Sequence, residues 1–176
     1  FVSRVYDIRT DDSRTLSNAV YALSPEGGSA IGTDFRRIEH MRPGYGYAGI
    51  ADPNKDVLAP EDVGIYTVDL ASGDSRQIIS IAEVAALPYR LGDLSAAKHY
   101  FNHLLFNTDG SRFIFLHRWR FGDSGFHTRM VTAAADGSDL HIVDEYGQMS
   151  HFIWRDSETI LAWSWQPSHE SAFYLY

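Results

Sequence analysis

Eight histidines and no cysteine limit the metal and nucleophile chemistry open to this chain. Without thiols there is no disulfide scaffold, no thiolate zinc site and no cysteine nucleophile. Two histidines stand in matching surroundings. His103 precedes Phe106 by three residues, and His151 precedes Trp154 by three. Side chains alternate along a strand, so equal spacing from equivalent anchors puts both rings at one register. Gln148 lies three residues before His151. Imidazole suits zinc, manganese and iron, and an amide oxygen suits harder ions, so His103, Gln148 and His151 are candidate ligands of one divalent metal. The same register also suits two rings that merely pack, and both readings stand at this point.

Other residues extend the list. In His117-Arg118-Trp119-Arg120, His117 and Trp119 fall on one strand face and Arg118 and Arg120 on the other. Arg118 is a candidate carboxylate ligand, because a planar guanidinium grips a carboxylate through two parallel hydrogen bonds. The loop Met41-Arg42-Pro43-Gly44-Tyr45-Gly46-Tyr47 offers a cation and two aromatic rings for sugar contact, with Arg42 and Tyr45 the candidates. A rigid turn with stacked tyrosines explains the same residues. Three motifs lead nowhere. Gly44–Gly49 matches G-x-G-x-x-G, but Pro43 precedes it and Asp52-Pro53 follows, so no strand feeds a nucleotide loop. Gly122-Asp123-Ser124-Gly125 has no triad context, and Asp136-Gly137-Ser138-Asp139 lacks a closing calcium ligand and reads as a turn. Glu61-Asp62 and Asp11-Asp12 sit in turn-like segments, which gives no facing carboxylate pair for glycoside hydrolysis.

Short aromatic and β-branched runs between Gly, Asp and Ser turns must position these groups. Tyr21–Ile31 aligns with Leu104–Ile114 and, more weakly, with Phe152–Leu161, each reading as strand, tight turn, strand. A second kind of hairpin lies between the copies, at Gly64–Ile79 and Thr128–Val143, and the opening Val2–Ser13 has the same character. Two hairpins make a four-stranded unit, and Phe106 and Trp154 are 48 residues apart. A four-stranded unit at that period is a propeller blade. The step from Leu23 to Phe106 is 83 residues, which predicts an insertion over 36–62. It also accommodates one short helix over 81–87, where Ser80-x-x-Glu83 is a capping box and Pro88 a stop. The fold class is therefore all-β: one partial propeller domain over 1–176, holding three to four blades of a larger ring.

Composition excludes several partners. A net charge of −8 without a basic tract argues against a nucleic-acid binder, and no apolar run is long enough for a membrane helix. Thirteen of the fifteen basic residues are Arg, which suits an anionic ligand, although composition alone places no charge in a site. Uncovered blade edges invite either further blades or self-association.

Phe101–Gly110, Phe115-Leu116-His117 and Gly147–Trp154 resemble the propeller oligogalacturonate lyases of pectin breakdown, mainly over residues 99–165. More loosely, the repeats resemble TolB-type propeller blades. The resemblance implies a seven-bladed ring, a cytoplasmic location and a divalent metal, most often Mn²⁺. In the family that metal binds a uronate carboxylate, and a histidine removes the neighbouring proton for β-elimination. His103, Gln148 and His151 match metal positions. A further family ligand falls on Ile153, and the register of the family's base falls near Val20 and Asn18, so His117 is the substitute to test. Two functions follow: a metal-assisted carbon–oxygen lyase of acidic oligosaccharides, or a non-catalytic propeller that binds a saccharide or protein partner.

Overall fold

A computed structural model describes residues 1–176. Thirteen strands form four antiparallel sheets in chain order. The first sheet pairs β1 (Ser3–Tyr6) with β2 (Ser13–Leu16). The second contains β3 (Ala22–Leu23), β4 (Ser29–Thr33), β5 (Gly64–Asp69) and β6 (Ser75–Ser80). The third contains β7 (Lys98–Phe106), β8 (Arg112–Arg120), β9 (His127–Ala134) and β10 (His141–Gly147). The fourth contains β11 (Met149–Trp154), β12 (Ile160–Gln166) and β13 (Glu170–Leu175). Both kinds of expected hairpin are present, and two complete sheets have the four-stranded meander of a blade.

Shared turn chemistry explains the repetition. An aspartate at the start of several turns accepts backbone N–H groups two or three residues on. Asp69 holds Ala71 and Ser72, Asp136 holds Ser138, and Asp156 holds Glu158 and Thr159. These side chains do locally what a turn's backbone would otherwise do, so strand breaks recur wherever the aspartate does.

Apolar faces then stack sheet on sheet. Ile31, Ile65 and Ile79 of the second sheet pack against Phe101, Phe106, Phe113, Phe115 and Val131 of the third. Ile114, Leu116 and Met130 meet Met149, Trp154, Ile160 and Ala162 of the fourth. The predicted helix over 81–87 is α2 (Ile81–Ala85), with both halves of the Ser80/Glu83 capping box formed. One helix is a correction on the expected count, because a second, α1 (Phe35–Met41), opens the insertion. Its signals were present: Asp34 caps the N-terminus, and Phe35, Ile38 and Met41 form the buried face. The rest of the insertion hangs on Arg37, which donates to the carbonyls of Asn54, Val57, Leu58 and His99 and pairs with Asp52 at 3.2 Å.

Candidate functional site

β7 and β11 share a defect at the same place. Pairing with β8 shifts register between Asn102 and Leu105, and pairing of β11 with β12 shifts between Ser150 and Phe152. The residues at these bulges are His103 and His151, with φ of 54° and 49°. The hydrophobic pattern explains why. Phe101 faces the second sheet, and so do Leu104 and Phe106, although strict alternation would send odd and even positions to opposite faces. Met149, Phe152 and Trp154 change parity in the same way against the third sheet. One residue per strand must be extruded to keep both sets buried, and in each strand it is the histidine. A bulge re-aims the side chain it extrudes.

The two imidazoles open into one pocket of about 540 Å³, lined also by Tyr21, Arg42, Tyr45, Arg118 and Ser150. No Asp or Glu lines it, in a chain whose net charge is −8. Tyr21 accepts a hydrogen bond from the His103 backbone N–H at 3.1 Å. Ser150 Oγ lies 2.7 Å from His151 Nδ1. The edge of Phe152 meets the His103 ring. Arg42 ends α1, and its guanidinium lies 3.7 Å above the centre of the Tyr45 ring. Partial desolvation, then the positive charges of Arg118 and Arg42, push the pKa of His103 down to about 4.

Arg118, paired in register with Tyr100, is 7% exposed. Its Nε has no hydrogen-bond partner, and neither do the Tyr100 hydroxyl and Asn102 Oδ1 on the neighbouring strand. Buried polar groups are nearly always satisfied, so three unpartnered atoms on adjacent strands are unusual.

Of the residues singled out from sequence, His103, His151, Arg42, Tyr45 and Arg118 come together here, and Gln148 and His117 do not. Gln148 lines a neighbouring cleft with Tyr146 and His127, and its carbonyl accepts from the Trp165 N–H. His117 is fully buried, and both its nitrogens are engaged. Arg129 Nε donates to its Nδ1 at 2.9 Å, which leaves Nε2 carrying the proton toward His99 Nδ1 at 2.8 Å. His99 Nε2 in turn faces the Leu94 carbonyl. His117 is therefore corrected from candidate base to a member of a sealed hydrogen-bond chain. Sequence reasoning missed Tyr21 and Ser150. Tyr21 sits at the start of the first repeat copy, and Ser150 directly precedes the second bulge.

The arrangement defines a propeller-type β-fold with a basic, acid-free pocket against the first strands of its third and fourth sheets. Its fold is similar to that of an oligogalacturonate lyase solved in complex with manganese, at 15% identity and a TM-score of 0.52, over 96% of this chain and 46% of that one. An oligogalacturonate lyase from Vibrio parahaemolyticus matches at 12% identity and a TM-score of 0.42, over 96% of this chain and 54% of that one. This chain spans about half the length of both structures. No family model matches it, and no curated protein does.

The donor set falls short of a manganese site. Only two imidazoles reach the pocket, Gln148 turns elsewhere, and no three His, Asp or Glu groups gather anywhere in the chain so as to hold a metal. Two guanidinium side chains line the same pocket and oppose a dication.

Proposed function

We propose that this chain recognises the carboxylate of an acidic oligosaccharide, as the substrate-binding part of a polyuronate lyase-type propeller. One observation carries the reading: a pocket free of acids in an acidic chain, lined by two arginines, Arg118 and Arg42. Carboxylate–guanidinium pairing is strong because both charges and paired hydrogen bonds contribute. Tyr21 and Tyr45 add flat surfaces suited to sugar rings. The lyase class is drawn from the fold's similarity to the manganese-bound oligogalacturonate lyase. In β-elimination the carboxylate's charge must be neutralised so that the neighbouring C–H can lose its proton.

A second reading, binding without catalysis, is favoured by His117 being sealed and by the absence of a histidine near Val20, where spacing from the first repeat copy matches His103 and His151. Titration of the 176-residue chain with oligogalacturonate and with a neutral oligosaccharide of equal length tests recognition. Binding of the acidic sugar alone is expected. Ultraviolet absorbance of an unsaturated uronate then separates lyase from binding module. Equal affinity for both sugars would end the recognition reading.

A further inference from the structure

We infer that guanidinium groups hold the carboxylate in this pocket, so that acidic-sugar binding requires no divalent cation. This deepens the recognition reading and rests on it. A metal-dependent site would show three or more hard or nitrogen donors converging, usually with carboxylates among them. This pocket shows two imidazoles, no carboxylate and two arginines.

Arg118 is the central group. Its side chain crosses from β8 beside Tyr100, and its Nε is buried without a partner. Tyr100 stands opposite it on β7, and its hydroxyl is likewise unpaired. A guanidinium presents its donors in a fixed planar fork, which matches the two oxygens of a carboxylate. Arg42 supplies the second charge from a more exposed position. It is pre-aligned by the face of Tyr45 and by a 2.9 Å hydrogen bond from Nη2 to the Tyr45 hydroxyl. Pre-alignment reduces the ordering cost that a free arginine would meet on binding. His103 and His151 line the same pocket beside the two cations.

The test is calorimetry of the full chain with oligogalacturonate, in EDTA and in added Mn²⁺. Fully methyl-esterified oligogalacturonate serves as the uncharged control. Affinity within about twofold in the two buffers is expected. Arg118→Gln should weaken acid binding roughly 10- to 100-fold, the range for one charged hydrogen-bonded contact, and should leave the weak ester binding unchanged. Arg118→Lys should restore only part of the loss, since an ammonium lacks the fork. Arg42→Gln, on the exposed loop, is the variant to read if changes at Arg118 disturb folding, and it should weaken acid binding about 5- to 10-fold. Binding that appears only with Mn²⁺ overturns the inference and leaves recognition standing. So does undiminished acid binding by both arginine variants. No preference for acid over ester in either buffer overturns the recognition reading and the inference with it.

Discussion

The phenol oxygen of Tyr21 accepts the backbone N–H of His103 at 3.1 Å, across 82 residues of chain. It ties the residue before β3 to the left-handed residue of β7. Tyr21 is itself braced by stacking on Phe35, which stacks in turn on Tyr47. A non-glycine residue at positive φ persists only where its surroundings hold it. Tyr21→Phe keeps the ring and removes the acceptor. The expected cost is about 1 kcal/mol of stability, with several-fold weaker acidic-sugar binding. Thermal melting and titration measure the two, and a variant that binds like the parent would dismiss Tyr21 as a positioning group.

Acid should weaken the fold through His99 and His117. Burial first, then the neighbouring Arg129, holds both imidazoles neutral, with His99 lowered to about 4 and His117 well below its ordinary 6.5. The unfolded chain therefore binds protons first as pH falls. The stability these groups contribute is complete above about 6.5 and is lost progressively toward about 4. Each proton taken only by the unfolded chain costs about 1.4 kcal/mol per pH unit. Melting temperature should be level from about pH 8 to 7 and fall steeply below 6. His117→Gln should be less stable at pH 8 yet show a shallower fall.

Arg129 joins that chain to α2 and the segment that follows it. It donates to His117 and to the carbonyls of Val84, Leu87 and Pro88. Arg129→Met leaves all four acceptors without their donor, at an expected cost of about 3–5 kcal/mol. Denaturant unfolding checks the figure, and a loss below about 1 kcal/mol would show that water replaces the guanidinium.

Arg37 should control the insertion more than the sheets. Its five donors satisfy four carbonyls and Asp52, all deep beneath residues 52–58. Arg37→Leu removes that anchor while α1 retains Phe35, Ile38 and Met41 in the core. Limited proteolysis is expected to cut first within 50–62 and to leave the β7–β10 sheet intact. Simultaneous loss of both regions would contradict an independent role for the insertion.

The last sheet presents an apolar face. Ile153, Phe173 and Leu175 are each about 60% exposed, and register aligns them with Leu161 and Trp163. β13 is also an edge strand. Such a face promotes association between copies of the chain. Light scattering should show concentration-dependent assembly, reduced in Phe173→Glu/Leu175→Lys. A parent monomeric at all concentrations would refute it.

Much of this protein was legible from local pattern. Aspartate-led turns and alternating apolar runs specify hairpins, because side-chain parity and Asx turns act over a few residues. The Ser80/Glu83 box marks α2 for the same reason. Equal spacing of His103 and His151 from their anchors also identified two equivalent positions. What spacing could not supply was direction. Their exit from the strands depends on bulges that exist because Phe101 and Leu104, like Met149 and Phe152, must bury against a neighbouring sheet. Likewise, nothing local separates Arg118, unpaired in a pocket, from Arg129, fully engaged on the next strand. Nor does it distinguish His117, sealed by partners far along the chain, from His103, open to solvent. Local hydrogen bonding is written into neighbouring residues. Burial, and with it the charge and availability of each group, arises only when distant sheets close over one another.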